Sequence, residues 1–336
     1  MLWVIRTSLA SSDSALHITG SASHYIKRCR LAAGIIVGLL IFNGCAAFSI
    51  KKWQQNAAHL PIQHELSTVP FYPQKKYQCG PASLAMVLGW SGLPITPDAI
   101  APQVFTPSLK GSLQPALVAA ARRHGRVAYE IAGANALLSE IAAGHPVIVL
   151  QNLGLSWIPV WHYAVVIGYD LSAELIILHS GTTDYKITAL RTFENTWSRG
   201  NYWGLVVLPP DRLPATAEEN SYVRAVVGLE KAHQWTAAIV GYKTALTRWP
   251  QSFYAHIGLS NSYYKLGDLK SAEEVLQKTT RRFPEQGDGF NNLAQVLWEQ
   301  DKKQEALKAA RQAVKLGGPR VEQYQKTLKE IQADTQ

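Results

Sequence analysis

Residues 69–88 read VPFYPQKKYQCGPASLAMVL, and the second half of this stretch predicts a helix with a cysteine at its start. The apolar residues of LAMVL are spaced to form one helical stripe that faces a core. Pro81 suits the first helical turn, where its missing N–H costs nothing. The helix therefore begins at or just before Cys79, where the helix dipole and the free backbone N–H groups favour a negative sulfur.

A thiol in this position is expected to have a lowered pKa and to act as a thiolate nucleophile. The alternative is that Cys79 is a small buried apolar residue, as most cysteines are. The pair Gly80-Pro81 argues against this alternative, because it presents the cysteine at a turn into the helix. Gln74, shortly upstream, can direct its side-chain amide toward an oxyanion beside the sulfur, and Gln78 is the alternative donor.

A second block, WHYAVVIGY at residues 161–169, predicts an apolar strand with a histidine near its start. A cysteine nucleophile needs a base within hydrogen-bond reach, and His162 is the candidate. The alternative is a structural histidine that faces the core. The position of His162 at a strand end, next to an aromatic residue, favours the catalytic role.

Together the two blocks resemble the bacteriocin-processing (double-glycine leader) cysteine peptidases, over about residues 66–209. The resemblance implies a papain-like α+β fold with a cysteine, a histidine and an acidic third member. It assigns the nucleophile to Cys79, the base to His162 and the oxyanion donor to Gln74. In that family the glutamine usually stands one residue further from the cysteine, so Gln78 stays open for this role.

The third member is where the sequence departs from the family, which has an aspartate at the end of the next strand. Counting across a turn at residues 170–173 pairs residue 163 with Ser180, and no acidic residue stands there. Asp170 would lie at the opposite end of the strand, about 23–27 Å from the histidine. Ser180, a backbone carbonyl, or Asp184 folding back remain as groups that could orient the imidazole.

The rest of residues 66–209 shows helical patterns first and strand patterns afterwards, as in α+β folds. Ser112 is expected to cap a helix that turns Leu113 and Leu117 inward. The predicted strands are 127–131, 147–151, 163–169, 174–180, 185–188 and 202–208.

The N-terminal part reads as a targeting segment, since residues 1–60 hold six basic residues and one acidic residue of a chain with net charge +9. A basic stretch precedes an apolar run and then Cys45, which resembles the lipobox of bacterial lipoproteins. Residues 1–45 are therefore predicted to be a signal with lipidation at Cys45, and residues 46–65 a tether. The alternative is that residues 31–50 form an uncleaved membrane-spanning helix. In both cases we expect the protein to be anchored to the membrane of a bacterial cell envelope and to face the periplasm.

The C-terminal part contains a repeat of 34 residues, marked by Ala238, Ala272 and Ala306. It resembles tetratricopeptide repeats, with three repeats over about residues 221–318 followed by a capping helix. Small alanines let paired helices approach closely, and stacked neighbours bury a continuous core. Residues 210–220 are predicted to be a linker, and residues 221–336 a domain that binds a protein partner.

The sequence also excludes several classes of function. It has no basic stripe interleaved with aromatic residues, so nucleic acid is not an expected partner. It has no His-Glu-x-x-His or Cys-x-x-Cys motif and no Gly-rich Lys-Ser/Thr loop, so no metal or other cofactor is expected.

The overall prediction is an exported, membrane-tethered cysteine peptidase that acts on a peptide or protein substrate. Its fold would be an α+β papain-like cysteine peptidase domain followed by an all-α tetratricopeptide-repeat solenoid. An amidase or acyl transferase with the same cysteine and histidine is an alternative. A catalytically inactive peptide-binding scaffold is another, because the acidic third member is missing.

Overall fold

The structure is a computed structural model that describes residue 53 and residues 59–334. The predicted signal at residues 1–45, with the lipidation site Cys45, lies outside the described residues, as does most of the tether predicted at residues 46–65. Among the helices of the described part, none has the length and apolar character needed to cross a bilayer.

The N-terminal domain is built on one antiparallel sheet of seven strands. Its order is β4-β9-β5-β6-β7-β8, and β1 pairs with the part of β6 that lies beyond the end of β5. The strands of this sheet are β1 (Gln63–Glu65), β4 (Val127–Ala132), β5 (Val147–Asn152), β6 (Trp161–Asp170), β7 (Leu175–Ser180), β8 (Thr183–Ala189) and β9 (Trp203–Leu208). A separate small hairpin joins β2 (Phe105–Thr106) to β3 (Gly111–Ser112).

Within residues 59–209 five α-helices accompany the sheet. They are α1 (Cys79–Trp90), α2 (Pro97–Val104), α3 (Gln114–Arg123), α4 (Ala134–Ala142) and α5 (Leu190–Ser198). Helix α1 packs against β5 and β6, and its residues 80–88 are all buried, so it is enclosed on every side and not on one stripe only. A helix that is apolar all round belongs inside a core, and this places the start of α1 at the edge of that core.

The hairpin β2–β3 closes over the start of α1. Ser112 lies in β3, and α3 begins two residues later without a side-chain cap, so the predicted capping role of Ser112 is wrong. Leu113 is also exposed, so the prediction that it faces the core is wrong. A Cβ atom added to Gly80 would lie 2.5 Å from Ser112 Oγ and 2.6 Å from its Cβ. The position after the cysteine is therefore glycine because the Ser112 side chain packs directly against it.

The end of the predicted tether is part of the fold. Residues 63–65 form β1, which pairs with β6 in register Gln63 to Asp170. Further upstream, Trp53 is buried against the rings of Phe193 and Trp197 of α5. The described tether residues are thus held by sheet pairing and aromatic packing. The sequence did not reveal these contacts, because residues 46–65 read as a polar tether.

The C-terminal part consists of three antiparallel helix pairs and a final helix. The helices are α6 (Glu219–Lys231), α7 (Trp235–Arg248), α8 (Phe253–Lys265), α9 (Leu269–Arg282), α10 (Gly287–Glu299), α11 (Lys303–Leu316) and α12 (Val321–Ala333). The three alanines spaced by 34 residues lie on the second helix of each pair and are fully buried. Their small side chains allow each pair to pack closely, as the repeat pattern predicts.

The segment between the two parts is docked, although the sequence predicts a linker at residues 210–220. The buried carboxylate of Glu140, on α4, accepts hydrogen bonds from the backbone N–H groups of Ala215 and Thr216 and from the Thr216 hydroxyl. His145 Nδ1 lies 2.7 Å from the same carboxylate. Burial acts to raise the pKa of Glu140, but these hydrogen bonds hold it below its ordinary value of 4.5.

The hydrophobic core also continues across this junction. One cluster of buried side chains runs from the sheet domain through α6 and α7 to Leu259 of α8, and a second begins at Ala272. The first repeat therefore shares its core with the sheet domain. The boundary between the two hydrophobic clusters lies within the repeats, between Leu259 and Ala272.

We predict that Glu140→Gln lowers the free energy of unfolding by about 3 kcal/mol at pH 7, because an amide NH2 would face N–H donors in a buried site. Urea denaturation measures this loss, with the exposed Glu305→Gln as the matched control. The folded pKa of Glu140 is depressed, so its contribution is present above the ordinary value of 4.5 and is lost as the pH falls through the folded pKa. A difference between parent and variant that stayed constant down to pH 2 would contradict this account.

We predict that Gly80→Ala costs about 1–3 kcal/mol of stability, since the new methyl group meets Ser112. Combining it with Ser112→Gly should recover much of this loss, because the clashing atoms are then absent. A double-mutant cycle by thermal or urea denaturation measures the coupling. Additive losses in the cycle would show that the two residues do not press on each other.

Candidate active site

Cys79 is the first residue of α1, with Gln78 at the N-cap position. The thiol is free and half-buried. Burial raises its pKa above the ordinary value of 9.0, although backbone N–H groups of Tyr163, Gly80 and Cys79 itself act to lower it. The lowered pKa expected from the helix start is therefore wrong for this resting site, because the cost of burying a charge exceeds the help from the N–H groups. At neutral pH the group is a thiol.

His162 lies near the start of β6 and points to the same face of the sheet as Ser180. Its Nε2 lies 2.9 Å from Ser180 Oγ. Burial lowers the pKa of His162 from 6.5 to about 4, and the nearby Lys186 cation adds to this effect. The imidazole is consequently neutral above about pH 4.

The pairing of β6 with β7 explains why these two side chains meet. Asp170 pairs with Leu175, and a register shift between Val166 and Gly168 leaves Val165 paired with His179. The count from the sequence was off by two residues before the shift and by one residue after it. The shifted register extends to place Ser180 opposite residue 164, and side chains two residues apart, such as 162 and 164, share a face. Ser180 is therefore diagonal to His162 and within reach of it. The sequence count paired residue 163 with Ser180, on the opposite face from His162, so the contact results from the register shift and not from that count.

Asp184 lies beside a different histidine. Its Oδ1 is 2.9 Å from Nδ1 of His179, whose Nε2 lies 3.1 Å from the backbone oxygen of Val69. His179 is fully buried and faces the opposite side of the sheet from His162, between the rings of Phe71 and Tyr185. Asp184 thus helps to fix the segment that leads to the cysteine, and it does not fold back onto His162.

The two candidate glutamines lie in different places. Gln74 lines the cleft that also holds Cys79 and His162, whereas Gln78 lines a separate small pocket on the other side of the segment. The Gln74 side chain accepts a hydrogen bond from the Gly181 N–H (3.1 Å) and donates one to the Tyr163 carbonyl (3.2 Å). One hydrogen of its NH2 group is used in this way, and geometry favours Gln74 over Gln78 as a donor toward the cleft.

The cleft has a volume of about 950 Å³ and is lined by several apolar side chains, of which only Leu113 and Trp161 were singled out from the sequence. They come from segments far apart in the chain, which is why no local motif revealed the whole set: Leu109, Leu113, Ile131, Leu150, Val160, Trp161 and Trp203. Lys75, Lys110 and Arg199 add positive charge to its lining. The cleft therefore combines an apolar lining with a positively charged rim.

In the described part of the chain, no group of three or more His, Cys, Asp or Glu side chains is arranged to hold a metal ion.

Two families match separate parts of the chain. Residues 66–203 match the Peptidase_C39 like family. Residues 226–286 and 257–320 match the tetratricopeptide repeat. No curated protein matches the chain.

Solved structures resemble each part separately. A crystal structure from Bacillus anthracis, described as a C39-like peptidase, is 19% identical with a TM-score of 0.38, and the match covers 44% of this chain and 97% of that one. YrrB, described as a TPR protein with an unusual peptide-binding site, is 23% identical with a TM-score of 0.31, covering 35% and 60%. The Sgt2 TPR domain from Aspergillus fumigatus is 16% identical with a TM-score of 0.33, covering 36% and 80%.

The predicted fold class, an α+β peptidase-type domain followed by an all-helical repeat array, is confirmed. The chain carries a Peptidase_C39-like domain followed by tetratricopeptide repeats.

Proposed function

We propose that the protein is a cysteine peptidase that cleaves peptide bonds in the cleft between the start of α1 and the start of β6. The observation that carries this proposal is the hydrogen bond between His162 Nε2 and Ser180 Oγ, 2.9 Å long, in a cleft that also holds Cys79. A base needs one free ring nitrogen to accept a proton from the nucleophile. In the tautomer that carries its proton on Nε2, this nitrogen would donate to Ser180 Oγ and Nδ1 of His162 would be free to accept the thiol proton.

Catalysis would start from a neutral pair and not from a thiolate and an imidazolium. As the Cys79 sulfur attacks the carbonyl carbon, the thiol proton moves to His162 and the carbonyl oxygen becomes an oxyanion. His162 then returns the proton to the leaving amine as the C–N bond breaks, which leaves a thioester. Water, deprotonated by His162, attacks the thioester, releases the carboxylic acid and restores the thiol.

Gln74 is the proposed donor to the oxyanion. One hydrogen of its NH2 group is held by Tyr163 and the other is available toward the cleft. The two backbone contacts fix the amide before substrate arrives, and a fixed donor stabilises developing charge without reorganisation. Ser180 is the proposed orienting group for His162, in the place of the acidic third member.

The repeats are proposed to bind a protein or peptide partner. A groove of about 330 Å³ lies between the first and second helix pairs and is lined by Arg224, Glu230, Tyr242, Tyr254 and Asn261. Tyr254 is 61% exposed there, which suits a contact with a partner. For the N-terminal part we retain the proposal of a lipoprotein-type or helical anchor at the bacterial envelope, supported by the basic and apolar pattern before Cys45.

A second candidate function is a peptide-binding scaffold without catalysis. It is favoured by the serine that stands where the family has an acid, and by the neutral state of both Cys79 and His162. The two candidates share the cleft and its apolar lining, so only a measurement of turnover separates them.

We predict that Cys79→Ala and His162→Ala each abolish cleavage of a peptide library while leaving the fold intact, because both side chains line the cleft. Mass spectrometry of the products detects cleavage, and the exposed His59→Ala is the control that should cleave as the parent does. Binding of peptides without any product from the parent would favour the scaffold. Full turnover by either cleft variant would refute the assignment of the dyad.

We predict that alkylation of Cys79 becomes faster from pH 7 to above pH 9 and has no plateau between pH 5 and 7. The reason is that burial raises the thiol pKa and His162 is already neutral above about 4. Ser180→Asp should raise the rate below pH 7, because a carboxylate stabilises the imidazolium and hence the thiolate.

Ser180→Ala should lower kcat by about tenfold, the equivalent of one hydrogen bond in the transition state. Asp184→Asn is the matched comparison and should leave the pH profile of alkylation in place, because Asp184 contacts His179. A parent enzyme already at its maximal alkylation rate near pH 5 would show that the resting pair is ionic. Because Cys79 and His162 titrate as a coupled pair, the pH profile of alkylation gives apparent pKa values of the pair and not of either residue.

A further inference from the structure

A short hairpin between β5 and β6 exposes apolar side chains beside the cleft. The chain from Asn152 to Trp161 carries no charged residue. Leu153, Leu155, Trp157 and Ile158, here named the tip residues, are 48%, 50%, 75% and 63% exposed. Soluble surfaces seldom leave several large apolar side chains together in water, so this group requires a partner.

The cleft does not account for the tip residues. Pro159, Val160 and Trp161 line the cleft, whereas none of the four tip residues does. Trp157 is the most exposed of them. A peptide in the cleft would therefore leave the tip uncovered.

The hairpin is held in one conformation by hydrogen bonds at its base. Oδ1 of the buried Asn152 accepts from the N–H groups of Gly154 (3.0 Å) and Val160 (2.9 Å). Arg199 donates to the carbonyls of Asn152 (3.2 Å) and Gly154 (2.5 Å). A backbone braced in this way presents the tip without the entropy cost of ordering a loop.

The chain that precedes Trp53 joins the fold at α5, the helix that ends just before Arg199. Trp53 packs on α5 and its Nε1 donates to Glu194 (2.9 Å), and Arg199 follows the end of the same helix. Trp53 and the hairpin base are thus both attached to α5 and the residue that follows its end. Residues 31–50, which are mostly apolar in sequence, come just before Trp53.

We propose that the tip residues insert into the interfacial region of a lipid bilayer, an inference that rests on the anchor proposed for the N-terminal segment. An uncharged, convex and preorganised tip with a tryptophan suits this region, where tryptophan is enriched. A second copy of the chain is a poorer fit, since a stable dimer uses about 20–30 residues a side. The membrane surface would then lie beside the cleft, and substrates would be cleaved close to it.

The test uses the full chain reconstituted in vesicles of phosphatidylcholine and phosphatidylglycerol whose acyl chains are brominated. Bromine quenches the fluorescence of tryptophans that lie within the bilayer. We expect Trp157→Phe to remove a clear share of the quenched emission, because it deletes the reporter and keeps the tip apolar. Trp298→Phe, in the repeats, is the control and should remove none. Leu155→Ser with Ile158→Ser should reduce the quenching of Trp157 while the protein stays in the membrane fraction.

Three results would overturn the proposal. The first is quenching that is the same in the parent and in Trp157→Phe. The second is an increase in KM for a water-soluble peptide in Trp157→Ser without vesicles, which would assign the tip to substrate binding. The third is self-association of the parent in detergent that Trp157→Ser abolishes, which would assign it to a second copy. The quenching readout does not depend on turnover, so it stands whether or not the chain is a peptidase.

Discussion

The Gln74 amide stands in the place of a peptide group between the ends of β6 and β7. Regular pairing of these strands reaches Val165 and His179, and beyond it Gln74 donates to the Tyr163 carbonyl and accepts from the Gly181 N–H. The Gln74 backbone N–H donates to the Gly181 carbonyl as well, at 2.9 Å. One residue thus satisfies strand ends that would otherwise lack partners in a half-buried site.

The position of the Gln74 amide between the two strands affects the whole site. Because the side chain of Gln74 spans the gap, the N–H of Tyr163 is left for the Cys79 sulfur. The segment from Gln74 to Cys79 is held at its first end by β7 and at its second by the start of α1. The thiol, the imidazole and the amide are therefore positioned by a sheet edge and a helix start, both rigid, and not by a free loop.

The sequence predicts more of the fold than of the site's electrostatics. The apolar pattern after Cys79, the strand that carries His162 and the period of 34 residues are strong local signals, and each corresponds to an element of the structure. The proximity of Ser180 to His162 depends on the register shift in β6, because the regular count that pairs residue 163 with Ser180 places Ser180 and His162 on opposite faces of the sheet.

What the sequence could not reveal depends on distant residues. The pKa of Cys79 is set by burial, which depends on the surrounding segments, and local reasoning from the helix dipole gave the wrong direction. The register shift in β6, the strand at residues 63–65 and the docking of residues 215–216 on Glu140 likewise need tertiary contacts. The exposed position of Leu113 follows from the cleft, which no local periodicity encodes.

The fixed junction between the two domains changes how the repeats can act on the cleft. A flexible linker would let a captured partner sample a wide volume, and its effective concentration at the cleft would fall with linker length. Here the buried Glu140 carboxylate and the shared core hold the first repeat against the sheet domain. The distance between the repeat groove and the cleft is then fixed by the fold. If a partner bound in that groove also reached the cleft, the number of residues between its two bound parts would have to match this fixed separation. The protein would then select partners by the length of that intervening segment as well as by their side chains.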